Sequence, residues 1–276
     1  MPELPEVETI RRGLVPSLVG ARVTSVLVKR RRMVKHPELG RGFESKLAGR
    51  KVRSIMRRGK YLLFVLDGSG LLVIHLGMSG SLVLVGRGER PKHERIRFEF
   101  SGGRALSFAD VRTLGKVIFC EKRESPLVLH SVWRMGLEPI QRGFGPRYLA
   151  DRFRDRKAPV KSLLLDQRVC CGVGNIYANE ALYRAGVRPT RAAGSLSEPE
   201  VERLSKALRS VINDGIKWCG TTLEDDGYRL PDGGRGKFQR HLAVYDRAEG
   251  KCRCGGTVKL VRQAGRSSYY CPACQH

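Results

Sequence analysis

The first nine residues, Met1-Pro2-Glu3-Leu4-Pro5-Glu6-Val7-Glu8-Thr9, bring together groups capable of covalent chemistry. A small residue after Met1 favours removal of the methionine, which would leave Pro2 with a free secondary amine. An α-amino group titrates near ~8, so a useful fraction is unprotonated at neutral pH. Such an amine attacks an electrophilic carbon and forms an iminium. Glu3 and Glu6 stand three residues apart, on one face of a helix, beside the amine and near the positive end of the helix dipole. Nucleophile and candidate acid/base thus fall within one turn. Taken alone, Pro-Glu-x-x-Glu is also an ordinary helix start.

A second chemical group lies at the far end. Cys271-Pro-Ala-Cys274 has the spacing of a zinc knuckle, and Cys252-Arg-Cys254 is a partner one residue tighter. The 16 residues between them, Gly255–Tyr270, read as a β-hairpin. Four thiolates fill a tetrahedral ion and leave no open position, so one structural Zn2+ is expected and catalysis by it is not. A module this small has little core, and metal would stabilise it. The other cysteines, Cys120, Cys170, Cys171 and Cys219, are scattered, which suits a reducing compartment and not a disulfide framework.

Of 276 residues, 52 are Lys or Arg and 27 Asp or Glu, a formal net charge of +25. The excess points to a polyanion, most simply nucleic acid. A membrane-surface role needs an amphipathic basic helix or an anchor, and neither is found. The longest apolar run, Leu71–Ile74, is far short of the ~20 residues of a membrane span. The acidic start argues against a signal peptide, so an intracellular protein is expected.

These groups need elements to position them. Leu4, Val7, Ile10, Leu14 and Leu18 mark an amphipathic helix over 3–18. Val23–Val28, Tyr61–Leu66, Leu71–Ile74, Arg95–Phe100 and Val117–Cys120 are strand-sized runs between Gly-rich turns, the pattern of an antiparallel sandwich or barrel. Gly136–Pro139 and Gly143–Pro146 read as a linker. Helical patterns follow. Ser197-Glu198-Pro199-Glu200 is a capping box opening a helix with Val201, Leu204, Leu208 and Val211 on one face. Residues 225–237, rich in glycine, read as a mobile loop.

The two ends and the middle together resemble the formamidopyrimidine-DNA glycosylase family of bacterial base-excision repair. The start PELPEVET is similar to its N-terminal motif. Leu164-Leu165-Asp166-Gln167 with Gly174-Asn175-Ile176-Tyr177-Ala178-Asn179-Glu180 is similar to its helix–two-turns–helix, and Gly265–Gln275 to its zinc finger. The likeness runs the whole chain in order. It implies an α+β fold: an N-terminal helix and antiparallel β-sandwich in a catalytic domain over 1–135, a helix–two-turns–helix domain over 136–246, and a β-hairpin zinc finger over 247–276. It implies a bifunctional glycosylase/AP lyase for oxidised purines (8-oxoguanine, formamidopyrimidines) in duplex DNA, acting as a cytoplasmic, nucleoid-associated monomer. By resemblance, Pro2 attacks C1′, Glu3 assists ring opening and proton transfer, and Glu6 supports the site. Lys60 lies near the lesion and its phosphate, and Arg266 clamps phosphate. Met78, Arg112 and Leu114 fill the void left by the flipped base. Asn175, Tyr177 and His75 meet the phosphate backbone.

The chain departs from the family pattern in places. Leu114 stands where phenylalanine is usual, which would weaken stacking on the opposite strand. Glu224 replaces a residue that is basic in some relatives, and Cys170-Cys171 replaces small apolar residues, inert if buried. Lys29–Arg32 and Arg57-Arg58 would add non-specific affinity. Three rivals are an endonuclease VIII-like enzyme for oxidised pyrimidines, a non-catalytic DNA-damage binder, and a basic zinc-ribbon RNA binder. Leu4 and the 225–237 loop favour the purine enzyme over the first. Intact Pro2, Glu3 and Lys60 count against the second, and the N-terminal string against the third.

Overall fold

The computed structural model describes residues 1–35, 42–86, 88–121, 132–223 and 227–276. They form two compact units, Met1–Arg134 with Trp218–Gln239, and Met135–Lys217 with Arg240–His276.

In the first unit, helix α1 (Leu4–Leu18) buries the anticipated stripe of Leu4, Val7, Ile10, Leu14 and Leu18 completely. Spacings of three and four put these side chains on one face. The strands are β1 (Val23–Val28), β2 (Val34–Lys35), β3 (Val52–Arg58), β4 (Tyr61–Leu66), β5 (Leu71–His75), β6 (Gly80–Val85), β7 (Glu94–Phe100), β8 (Ala105–Asp110) and β9 (Lys116–Cys120). A short helix α2 (Phe43–Leu47) precedes β3. One sheet has the order β1-β7-β8-β6 and is antiparallel throughout. The other has the order β2-β9-β5-β4-β3. It is antiparallel except where β2 runs parallel to β9. Leu62, Phe64 and Ile74 from the second sheet meet Ile96, Phe98 and Phe108 from the first in a common core, with Val7, Ile10 and Leu14 of α1. The antiparallel architecture is as expected. The parallel β2 is two residues long, too short for periodicity to reveal.

The second unit holds α3 (Pro146–Phe153), α4 (Val160–Leu165), α5 (Asn175–Ala185), α6 (Glu198–Lys217) and the hairpin β10 (Lys259–Gln263) and β11 (Arg266–Tyr270). The side chain of Glu200 accepts from the Ser197 N–H at 2.8 Å, closing the anticipated cap of α6. Val201, Leu204, Leu208 and Val211 are buried beneath it. Among the described residues no helix is long and apolar enough to cross a membrane.

The expected boundaries put residues 218–239 in the helical domain, whereas by spatial proximity they group with the first unit. Their described part packs on the first unit. Leu84 N–H donates to Pro231 O at 2.7 Å, and Tyr228 is buried in the sandwich core. Leu230 and Gly234 close a turn of their own. Contacts at Pro231 and Tyr228 tie the described part of this glycine-rich segment to the sandwich. Residues 225 and 226 of that loop, and Glu224, lie outside the described residues.

Candidate active site

The N-terminus is tied down by one carboxylate. Pro2 is buried and Glu3 is the N-cap of α1, joined to Glu6 in a reciprocal capping box. Glu6 Oε2 accepts the Glu3 N–H at 2.8 Å, which fixes the peptide linking Pro2 to Glu3. Glu6 Oε1 accepts the Thr221 N–H, also at 2.8 Å. Glu6 therefore acts as a positioning group, and sequence distance gave no hint of its partner 215 residues away. Gly220 makes the contact possible. Its φ is +79°, and a Cβ there would lie 2.8 Å from Glu6 Cγ and Oε1. Tyr228 closes the far side, its hydroxyl donating to Cys219 O at 3.0 Å. Burial, then the Glu6 charge, push the Tyr228 phenol well above its ordinary value, so it remains a neutral donor.

Lys60 sits at the tip of the β3–β4 hairpin, where Arg58 pairs with Tyr61. A lysine in a two-residue turn ordinarily reaches solvent, yet Lys60 is only 7 % exposed. Across the sheet, His75 pairs with Tyr61, and their rings lie 4.7 Å apart. Burial, then the charges of Lys60 and Lys116, hold the His75 imidazole down at about 4. Its Nδ1 accepts the Gly77 N–H at 3.1 Å, so Nε2 carries the proton and can donate without charge. Arg57, expected to add non-specific affinity, is instead directed inward, with Nε 3.1 Å from Glu8 Oε2. Burial would raise the Glu8 carboxyl, but hydrogen bonds from Arg11 and Arg12 and the Arg57 charge override it and hold it at about 2.

The three void-filling candidates share one surface. Met78, on the β5–β6 loop, and Leu114, on the β8–β9 loop, are half exposed, and the Arg112 guanidinium lies 3.7 Å from the Met78 sulfur. Asp110 staples the two loops. Its Oδ1 accepts from Ser79 Oγ at 2.6 Å and its Oδ2 from the Gly115 N–H at 2.8 Å. Ser79 Oγ in turn accepts the Arg112 N–H at 3.2 Å. Asp110 thus serves as a clamp between the two loops. The loops touch so closely at Gly77 that a Cβ would meet Leu114 backbone at 2.7 Å. Exposed apolar side chains on so rigid a support suit wedging between bases.

In the second unit, Tyr177, expected to meet the phosphate backbone, has its side chain turned inward. Its side chain is wholly buried against Gly215, where a Cβ would lie 2.5 Å from the ring, so only its backbone can serve an anion. Asn175 opens α5, but its Nδ2 donates to Ser267 O at 3.1 Å and so holds the hairpin. Buried Lys161 adds a second grip, with Nζ 2.7 Å from both Ser267 O and Ser268 Oγ. Arg266, beside these residues, is exposed at the hairpin tip. Ala264 and Gly265, both at positive φ, make the tight turn before it. Cys170 and Cys171 are fully buried, and burial pushes the Cys170 thiol up, which makes it inert.

The four cysteines converge. The sulfurs of Cys252, Cys254, Cys271 and Cys274 all lie within 4.8 Å of one another. Two pairs, Cys252–Cys274 and Cys254–Cys271, are 3.8 and 3.6 Å apart. Zinc–sulfur bonds of ~2.3 Å span a tetrahedron with edges of about 3.8 Å, so the donor set fits one structural zinc despite the tight knuckle. Reading the sequence missed Thr221, Ser79, Asp110 and Lys161. Nothing in their neighbours distinguishes them, because each acts on a partner distant in the chain.

Comparison with known proteins gives the same picture. Residues 1–117 match the model of the formamidopyrimidine-DNA glycosylase N-terminal domain, 135–226 that of the formamidopyrimidine-DNA glycosylase H2TH domain, and 252–276 the zinc finger found in FPG and IleRS. The formamidopyrimidine-DNA glycosylase of Thioalkalivibrio sulfidiphilus is 43% identical over 278 residues, and that of Dinoroseobacter shibae 40% over 292, each alignment covering 100% of both chains. The crystal structure of the MutM (FPG) protein from Thermus thermophilus superposes with a TM-score of 0.90 at 39% identity, covering 99% of this chain and 98% of that one. A Lactococcus lactis FPG point mutant, in complex with Fapy-dG-containing DNA, gives 0.91 at 31% identity over 100% of both chains. With the whole chain matched and its four-cysteine cluster and capped N-terminus in place, the protein belongs to the formamidopyrimidine-DNA glycosylase family, an enzyme of DNA repair.

Proposed function

We propose that the protein excises oxidised purines, 8-oxoguanine and formamidopyrimidines, from duplex DNA and then cleaves the strand, with Pro2 as nucleophile once Met1 is removed. The observation that carries the reading is the doubly anchored Glu6, which fixes the Pro2–Glu3 peptide from one side and the 220–221 segment from the other. The neutral Pro2 amine attacks C1′ of the flipped nucleotide, and the bond from C1′ to the base breaks as the base leaves with a proton. Glu3 protonates the ring oxygen as the sugar opens, and the amine lone pair completes the iminium. The iminium acidifies the sugar protons, so β- and then δ-elimination expel the two phosphates, and hydrolysis frees Pro2.

Lys60, in the β3–β4 turn, and neutral His75, at the end of β5 beside Tyr61, serve the lesion phosphate, the first by charge and the second through its Nε2–H. Met78, Arg112 and Leu114 occupy the space that the extruded base leaves. Asn175 and the backbone at Tyr177 steady the duplex, and Arg266 clamps phosphate. Zinc supplies the rigidity of the module that carries Arg266. The division into a catalytic domain, a helical domain and a finger is the functional one, with 218–239 serving the catalytic side.

Borohydride trapping tests this reading. A duplex with one 8-oxoguanine opposite cytosine is reduced during turnover, with thymine glycol and undamaged duplexes alongside. The expected result is a covalent adduct mapped to Pro2 on the 8-oxoguanine duplex, lost in Pro2→Gly. Trapping on thymine glycol alone would assign the chain oxidised pyrimidines, and none on any duplex, with Met1 absent by mass, would leave a damage binder.

A further inference from the structure

Asn175, Asn179 and Tyr183 follow one another at intervals of four along α5, so they share a face. All three reach the zinc module. Asn175 holds Ser267 O, and Asn179 Oδ1 accepts the Tyr269 N–H at 2.8 Å. The Tyr183 hydroxyl lies 3.3 Å from the Cys252 sulfur. The first two contacts grip the backbone of the hairpin, whereas the third touches a metal ligand. A zinc-bound cysteine is a thiolate with no proton to give, so the hydroxyl is the donor. The Tyr183 ring packs against the small core of Val244, Cys252, Val258 and Cys271.

The unequal knuckles give this contact a purpose. In Cys271-Pro-Ala-Cys274 the turn is closed locally, with the Cys274 N–H donating to Cys271 O at 3.1 Å and the Cys271 N–H donating to Gln275 Oε1 at 2.9 Å. In the shorter Cys252-Arg-Cys254 the Gly256 N–H donates to the Cys254 sulfur at 3.4 Å, and Tyr183 brings a donor to the Cys252 sulfur from outside the knuckle. Four thiolates around one divalent ion leave excess negative charge on sulfur, which such donors disperse. Partners of this kind typically change metal affinity by ~10–100-fold.

We propose that Tyr183 is a positioning residue of the zinc centre: its hydroxyl hydrogen-bonds the Cys252 thiolate, compensates for the short knuckle, and couples metal retention to helix α5. The same helix face holds the hairpin that carries Arg266, so metal loading and the placement of that arginine are linked.

The test uses the full-length, zinc-loaded protein and its Tyr183→Phe variant, which keeps the ring in the core. Zinc transfer to excess 4-(2-pyridylazo)resorcinol is expected to be about tenfold faster or more in the variant. In the cobalt-substituted protein, the sulfur-to-cobalt charge-transfer band is expected to move in Tyr183→Phe. It should stay in place in Asn179→Ala, which cuts a backbone clamp without touching sulfur. Zinc release within about twofold of wild type, or a band that does not move in Tyr183→Phe, overturns the proposal. If the phenylalanine variant folds poorly, 3-fluorotyrosine placed at 183 keeps ring and hydroxyl but alters donor strength. An unmoved cobalt band there overturns the proposal equally.

Discussion

Replacing Glu6 by glutamine keeps the side-chain volume and removes the charge on which two buried amides converge. In the native structure, Glu3 N–H and Thr221 N–H each donate to a separate carboxylate oxygen at 2.8 Å. Glutamine offers one carbonyl oxygen and turns an NH2 toward the other amide, so one buried N–H faces a donor. Leaving such a group unsatisfied costs ~1–3 kcal/mol, and the surviving bond loses its charge assistance, worth roughly 1 kcal/mol more. The total is about 3 kcal/mol. Spent on global stability, ~3 kcal/mol lowers Tm by roughly 6–12 °C for a domain of this size. Spent locally, by release of the helix start, it lowers the rate of iminium formation by about 100-fold. Thermal melting and single-turnover borohydride trapping of Glu6→Gln, run together, show how the loss divides. A variant that melts within about 1 °C of wild type and traps DNA at the wild-type rate would show that the carboxylate is no joint, and the argument fails.

Four further outcomes are expected. Gly220→Ala combines a left-handed backbone with a Cβ 2.8 Å from Glu6, so excision should fall as in Glu6→Gln, and unchanged turnover contradicts the close approach. NMR titration of His75 should show a midpoint at about 4, leaving DNA binding free of a His75 step near neutrality, and a midpoint near 6.5 would remove that inference. Glu8→Gln breaks the link from Arg11 and Arg12 of α1 to Arg57 of β3 and should cost ~2–3 kcal/mol in denaturant melts. The Glu8 carboxyl is depressed in the folded state, so its stabilisation is complete above pH 4.5 and vanishes as pH falls through about 2, and a difference that persists at the acid end speaks against it. Cys271→Ser should lose zinc by elemental analysis and weaken DNA binding in the same preparation, and normal affinity in the zinc-free protein would separate the two.

Much of the protein was legible before any coordinates. The α1 stripe, the strand runs, the α6 cap and the four-cysteine module depend on contacts a few residues apart or on spacing along one element, and periodicity carries such information. The proximity of Pro2, Glu3 and Glu6 was legible for the same reason, since they are neighbours at one helix start. Where the sequence was less legible the cause is shared as well. Arg57 looks like a surface residue in the sequence and is turned to Glu8, and the side chains of Asn175 and Tyr177 meet internal neighbours that spacing does not reveal. The segment 218–239 reads as part of a helical domain, and yet it packs on the sandwich.

What tertiary structure alone decided are the long-range polar joints: Glu6 to Thr221, Asp110 to Ser79, Lys161 to Ser267, Tyr183 to Cys252. A buried hydrogen-bond partner depends on where the chain returns in space, and a single pair leaves no periodic trace in composition or pattern. The amino-acid sequence by itself determined which groups are present, a Pro-Glu start with a second carboxylate one helical turn on and a four-cysteine metal site. The fold determined which of those groups are buried, which are exposed, and which distant partners hold them in place.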